Sequence, residues 1–272
     1  MAITLSTIIE YKRDEVTTLR EAKPIEIIRG EAESQEHPRN FFGAVVNGHT
    51  NGSTSVIAEV KRKSPSAGLI RENFDPVAIA KAYEKAGAAA ISCLTDMHFF
   101  GGNIDFITQI RKEVMLPVLR KDFVIDEYQI WEARAAGADA ILLISEVLSE
   151  GQLIDYMILS QELGMTTLIE AHDMGNLLKI EQYVGFPHAG YCLLGINNRN
   201  LETMTTDINH TIDMIDIVED TTTIVSESGI TTPEDLDKLR LHGVHIVLVG
   251  ESLMKESDPG EALAKLIRMN PT

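Results

Sequence analysis

The chain has 272 residues and carries 41 acidic against 24 basic side chains, which gives a formal charge of −17 and a pI near 4.8. A field of that sign repels the phosphates of nucleic acids and anionic lipid headgroups, so the composition argues against both as partners. At 44% hydrophobic residues and a mean hydropathy of −0.01 the chain can form a real core, yet no apolar run approaches the roughly 20 residues of a membrane span. The N-terminus lacks the basic-then-apolar order of a signal peptide, and a soluble cytoplasmic protein is expected.

Leu5, Ile8, Ile9, Val16 and Leu19 recur at helical spacing among charges and predict an amphipathic helix. The following HPRNFFGAVVNGHTNGST, rich in Gly, Asn and His, reads as an irregular connection. Residues 1–50 are thus expected to form a helical extension, and 56–272 the main body of one domain. From Val56 a different rhythm begins. VIAEVK (from Val56), AAAISCL (Ala88), LPVLRK (Leu116), DAILLI (Asp139), TTLIE (Thr166), CLLGIN (Cys192), TTIVSE (Thr222) and HIVLVG (His245) each have the length of a buried strand.

Helical patterns separate these runs. Asp75-Pro76 supplies an N-cap acceptor and a proline suited to the first turn, and Gly87 closes that helix. Ser149 with Gln152 has capping-box spacing, and Thr232-Pro233-Glu234-Asp235 repeats the logic. Ala-Gly-Ala at 86–88 and 136–138 marks helix ends just before strands. Eight strands alternating with helices predict an α/β fold, a (β/α)8 TIM barrel with an additional N-terminal helical extension. A doubly wound open sheet is the alternative. It would carry a Gly-rich phosphate turn after its first strand, where this chain has Lys-Arg-Lys-Ser-Pro-Ser. Cys93 and Cys192 sit inside strand-like runs as small buried thiols, and no His or Cys pair has zinc spacing.

Chemistry in such a barrel collects at the carboxyl ends of the strands. The first strand ends with Glu59 and Lys61 on one face, and the third ends in Lys121. The fifth ends in Glu170, the sixth in Asn197 with Arg199 beyond, and the seventh in Glu227-Ser228-Gly229. One such residue is an ordinary solvated strand end. Five at one mouth are not, because inward charges must neutralise one another to be buried, and alternating Lys and Glu can do so while moving protons. Arg62 has the wrong parity and is expected to point away from the interior. Ser228-Gly229 and Gly250-Glu251-Ser252 each put a glycine where backbone N–H groups can approach a ligand, at the strand pair that holds phosphate in many barrels. A phosphorylated small molecule is the expected substrate class.

Seven segments then carry a family resemblance. AEVKRKSPS (from Ala58), FFGG (Phe99), LRKDF (Leu119), LIEAHD (Leu168), GINNRNL (Gly195 to Leu201), SESGI (Ser226) and LVGESLM (Leu248) resemble, in order, the strand-end motifs of indole-3-glycerol phosphate synthases. The resemblance implies ring closure, decarboxylation and dehydration of carboxyphenylamino-deoxyribulose phosphate to indole-3-glycerol phosphate in tryptophan biosynthesis. It implies Lys121 as the acid at the substrate carbonyl and Glu170 as the principal acid/base of dehydration. Lys61 becomes a substrate-contacting acid oriented by Glu59, and Asn197 a hydrogen-bonding partner. Ser64, Arg199, Glu227 and Ser228 become substrate-binding, with Arg199 and Ser64 toward the anthranilate end. Ser228, Gly229, Gly250 and Glu251 become the phosphate grip, Glu251 through its backbone N–H. Phe99 and Phe100 either flank the ring or simply pack, and Asn103 stands where serine is frequent. No metal and no other cofactor is implied, and association with other enzymes of the tryptophan pathway is in keeping with the family.

Two other readings use the same residues. In a Schiff-base aldolase or isomerase Lys121 would be a nucleophile instead of an acid. In a non-catalytic phospho-ligand binding barrel the grip would remain without turnover. Because the net charge cannot attract an anionic substrate, Lys61, Lys121 and Arg199, together with the backbone N–H groups, are expected to make the entrance locally positive.

Overall fold

The eight apolar runs are short and buried on both faces, which suits strands covered by helices on one side and by one another on the other. In the computed structural model, which describes residues 4–48, 52–183, 188–200, 205–218 and 220–267, they form β1 (Ser55–Val60), β2 (Ala90–Leu94), β3 (Val118–Lys121), β4 (Ala140–Ile144), β5 (Thr166–Ala171), β6 (Cys192–Asn197), β7 (Ile224–Glu227) and β8 (Ile246–Val249). All neighbours pair in parallel, and β1 pairs with both β2 and β8, so the sheet closes into a barrel. Alternation sorts the side chains into two cores. Ile57, Leu119, Leu142, Leu168, Leu193, Val225 and Leu248 fill the barrel, while Val56, Ile91, Val118, Ile141, Ile169, Leu194 and Val247 face the helices.

The expected caps form. Asp75 accepts from the Val77 and Ala78 N–H groups at the start of the helix Pro76–Ala86, and Gly87 ends it at φ +95°, a left-handed geometry that glycine adopts without strain. Ser149 and Gln152 cap each other reciprocally, as do Thr232 and Asp235. Cys93 and Cys192 are buried free thiols. Among the described residues no helix is long and apolar enough to cross a membrane.

The N-terminal extension corrects one expectation. The predicted helix is α1 (Leu5–Ala22), and it is followed by α2 (Ile25–Glu33), which packs against the helix Glu127–Ala135. The stretch read as an irregular connection contains α3 (Phe41–Val46), although its residues 49–51 lie outside the described ones. Six residues are too few to show helical periodicity, and such a helix is not stable alone. It forms because the Asn40 side chain accepts from the Gly43 N–H and because Phe41 and Val45, both fully buried, pack against Ile57 and the other inward residues. The helix plugs the barrel on the side opposite the strand carboxyl ends. Leu201, the last residue of the GINNRNL motif, also lies outside the described residues.

At the other end α1 is tied down by one buried ammonium. Lys12, 2% exposed, lies 2.9 Å from Asp96, 2.9 Å from Asp122 and 2.6 Å from Glu15. Asp122 follows β3 and also faces Arg120. Burial works against its ionisation, but Lys12, Arg120 and Thr95 outweigh that and bring it down to about 2 from an ordinary 3.8. The stability that Asp122 contributes is therefore present above pH 3.8 and is lost as pH falls through about 2. Lys12→Met removes the cation that Asp96 and Asp122 share, leaving Asp122 with Arg120 alone, and is expected to cost about 3–5 kcal/mol in urea unfolding at pH 7. Its acid-unfolding midpoint should rise as well, because Asp122 would then protonate at a higher pH.

Candidate active site

Strand parity brings the predicted charges together. Residues 59, 121, 170 and 227 occupy inward positions near the carboxyl ends of β1, β3, β5 and β7. Glu59, Lys121 and Glu170 line the floor of a cavity of about 730 Å³, whereas Glu227, expected to bind substrate, is fully buried behind Lys121 and does not line it. The Lys121 ammonium stands 2.5 Å from Glu227, 3.6 Å from Glu170 and 3.9 Å from Glu59. Lys61 pairs with Glu59, and the Asn197 side chain donates to Glu170 at 3.1 Å. Arg62 is exposed, as its parity required.

Three carboxylates around one cation cannot all remain ionised at equal cost. Burial opposes the charge on each. Lys121, with hydrogen bonds from His172 and Asn197, nevertheless holds Glu170 well below the usual carboxylate range, and Lys61 with Lys121 does the same for Glu59. Glu227 goes the other way. Burial and the neighbouring Glu170 push it up to about 8 against the pull of Lys121. Of the three carboxyls Glu227 is therefore the last to ionise. Burial also disfavours the Lys121 charge, but the three glutamates overcome it and raise its pKa, so the side chain is a firmly held ammonium.

Two glycines exist for these carboxylates. A Cβ on Gly195 would collide with the Glu227 carboxylate, and one on Gly250 with that of Glu59. Gly250 thus makes room for a catalytic-end glutamate as well as lining the cavity. Ser228 and Gly229 follow β7 with consecutive left-handed backbones, φ +66° and +79°, a strained geometry for serine. Asn198 holds it there. The Asn198 amide donates to the Ser228 carbonyl and to Ser226 Oγ, both at 3.0 Å, while its oxygen accepts from Thr211.

The remaining expected residues divide. Ser64, Arg199, Ser228, Gly229, Gly250 and Glu251 all line the cavity. The Glu251 carboxylate does not stand bare against a phosphate: Lys255 at 2.7 Å and Arg199 at 3.2 Å hold it, and these contacts outweigh burial to lower its pKa. Arg199 is thereby drawn to the wall after β8, while also reaching Ser66 Oγ at 3.4 Å. Phe100 lines the cavity with Phe123, their ring centroids 6.0 Å apart, whereas Phe99 packs edge-on to Tyr11. Leu5 and Ile8 of α1 complete the lining.

Two residues escaped the sequence reading. His172 follows β5, and its Nε2 lies 3.1 Å from Glu170 Oε1 while its Nδ1 lies 3.3 Å from Glu146 Oε2. Burial disfavours the imidazolium, yet the two carboxylates raise its pKa to about 10. Each shares inward parity with the last inward residue of its strand, two positions after Glu170 and Ile144, and that was the available signal. Among the described residues no group of three or more His, Cys, Asp or Glu could hold a metal ion.

The model of the family described as indole-3-glycerol phosphate synthase matches residues 5–266. The chain is 42% identical over 267 residues to the indole-3-glycerol phosphate synthase of Laribacter hongkongensis (strain HLHK9), covering 98% of this chain and 99% of that one. It is 43% identical over 271 residues to that of Variovorax paradoxus (strain S110), covering 97% and 98%. Among solved structures it is similar to 3-hexulose-6-phosphate synthase from Salmonella typhimurium, with a TM-score of 0.61, 15% identity and coverage of 79% and 97%. It is also similar to a mutant tryptophan synthase α-subunit from Pyrococcus furiosus, with a TM-score of 0.56, 14% identity and coverage of 80% and 98%. At those identities the two structures show the barrel fold and nothing more.

Gly195→Ala and Gly250→Ala are expected to cost about 1–3 kcal/mol in urea unfolding, because a methyl group must displace a packed carboxylate. In the wild-type protein one carboxyl should titrate near pH 8 by difference infrared spectroscopy and disappear in Glu227→Gln.

Proposed function

The chain belongs to the indole-3-glycerol phosphate synthase family and carries out that enzyme's ring closure, decarboxylation and dehydration in tryptophan biosynthesis; from that premise we propose which of its residues do the work. Lys121 protonates the substrate carbonyl as the aromatic carbon attacks it. The observation that carries this role is the enclosure of the Lys121 ammonium by Glu59, Glu170 and Glu227, which keeps a proton on the nitrogen at the cavity floor. The same enclosure speaks against a Schiff-base aldolase, whose lysine must be neutral to attack a carbonyl.

Ring closure leaves a cationic ring that bears a carboxylate, and that cation draws the electrons of the breaking bond as carbon dioxide departs. The route therefore calls on no cofactor. Glu170, ionised beside Lys121, takes the proton that dehydration releases from the ring, and Lys61 protonates the departing hydroxyl. Glu59 orients Lys61, and Asn197 holds the substrate while fixing Glu170. Ser64, Arg199 and Ser228 bind the substrate, while Glu227 acts on it only through Lys121. Ser228, Gly229, Gly250 and Glu251 grip its phosphate, with the Glu251 charge neutralised by Lys255 and Arg199. In this reading extension and barrel form one domain, because α1 supplies cavity lining, and the protein works in the cytoplasm beside other enzymes of the pathway.

Indole fluorescence should appear when folded protein meets synthetic carboxyphenylamino-deoxyribulose phosphate, and its absence would sink the assignment. Lys121→Ala is expected to lower kcat by about 10²- to 10⁴-fold, the usual range for a general acid. Borohydride with substrate should leave no adduct on Lys121, whereas a stable adduct would favour the aldolase reading.

A further inference from the structure

The established chemistry has a proton balance that the residues assigned so far do not close. Ring closure forms one carbon–carbon bond and turns the ketone oxygen into a hydroxyl, which takes up a proton. Decarboxylation breaks the bond to the carboxylate, and its electron pair neutralises the ring cation as carbon dioxide leaves. Dehydration breaks the carbon–oxygen bond, takes up a second proton to release water and gives one proton back from the ring. Two protons enter and one leaves, so each turnover consumes one proton from solvent. A substrate filling the cavity displaces the water that would otherwise supply it.

Among the described residues the charged neighbours of the fully buried Glu227 carboxyl are Lys121 and Glu170, so any proton it gives to Lys121 is replaced through them. The route that leaves the floor of the site starts at Glu170. From Lys121 Nζ it is 3.6 Å to Glu170 Oε2; from Glu170 Oε1, 3.1 Å to His172 Nε2; and from His172 Nδ1, 3.3 Å to Glu146 Oε2. Exposure rises along it, from 5% at the Glu170 side chain through 10% at His172 to 17% at Glu146. Glu146 is also placed to set the ring: its Oε1 accepts from the His172 backbone N–H at 2.8 Å, and the His172 carbonyl is held by His210 Nε2 at 2.9 Å. Both imidazole nitrogens face carboxylate oxygens, the arrangement in which a ring can receive a proton on one side and release it on the other; the Lys121–Glu170 and His172 Nδ1–Glu146 contacts are ion-pair separations, without a formed hydrogen bond, and shorten when the proton passes.

Resting on the reading of Lys121 and Glu170 given above, we propose that His172 and Glu146 are positioning residues that carry the consumed proton from solvent to Glu170, which refills Lys121 after ring closure and is ionised again before dehydration; the ring proton that Glu170 then takes returns through Lys121 and Glu59 to Lys61, so that both acids are restored for one proton drawn from solvent. Among the described residues, the charged and titratable groups facing this route are Lys121 from β3, Glu146 after β4, Glu170 itself on β5, His210 from the helix Asn209–Ile215, Glu227 from β7 and Glu59 from β1. His172 enters the cycle already protonated, in keeping with its two carboxylate neighbours.

The test compares wild-type enzyme with His172→Ala, His172→Gln and Glu146→Gln on the synthetic substrate, followed by fluorescence. A weakly buffered solution with a pH indicator should first show one proton taken up per indole formed by the wild type. Each variant is expected to lose about tenfold or more in kcat, at the low end of general acid/base effects, with KM nearly unchanged. Added imidazole should restore His172→Ala in proportion to its protonated fraction, a response that mere packing would not give. Wild-type kcat in both His172→Gln and Glu146→Gln would overturn the relay, as would a loss in folded His172→Ala that imidazole leaves untouched. A wild-type protein that makes no indole would instead fail the Lys121 and Glu170 reading, so the two failures are distinguishable.

Discussion

Everything at the catalytic end of this barrel answers to one constraint, that the Lys121 ammonium is removed from bulk water and must be balanced where it stands. An isolated buried charge is prohibitively costly, and a single partner would leave the other donors of the ammonium unsatisfied. Glutamates from three other strands converge on it, and their mutual repulsion shows in the raised pKa of Glu227, the carboxyl that gives up its proton last. Gly195 and Gly250 are glycines because the carboxylates of Glu227 and Glu59 occupy the space a side chain would need. The same balance that permits burial also readies the group for catalysis, since a firmly protonated lysine beside ionised Glu170 is an acid paired with its base.

A second network stands back to back with the first. Along β3 the alternation sends Leu119 and Lys121 inward and Arg120 outward, and Asp122 continues the outward parity, so one strand end belongs to both. Outside the barrel, Asp122 and Asp96 receive Lys12 of the extension. Asp96 in turn caps the short helix Met97–Phe100, which presents Phe100 to the cavity. The extension is thereby joined to the residue next to Lys121, while Leu5 and Ile8 from the same helix line the cavity. Its other end does a different job, with Phe41 and Val45 closing the far side of the barrel.

Much of this was legible in the chain. Eight buried runs, helix caps at Asp75, Ser149 and Thr232, and the parity of Glu59 with Lys61 are local features, set by backbone stereochemistry and by the spacing of apolar and polar residues over a few positions. Motif order was enough to name the family and to single out Lys121, Glu170, Glu227 and the loops after the last two strands. The helix Phe41–Val46 was not legible, since its stability comes from barrel residues distant in sequence, and its own composition looks like a loop. Nor were the destinations of Phe99 and Phe100, adjacent in sequence, of which only Phe100 reaches the cavity.

Charge pairing is where the two levels part. That the strand ends carry Lys and Glu of alternating sign follows from the order of residues alone. Which carboxyl ionises last, that Glu251 is neutralised by Arg199 and Lys255, and that His172 links Glu170 to Glu146 follow only from the closed barrel. The reason is physical: pairing energies vary with distance and burial over a few ångströms, and those distances are fixed by strands far apart in the chain that only closure brings together.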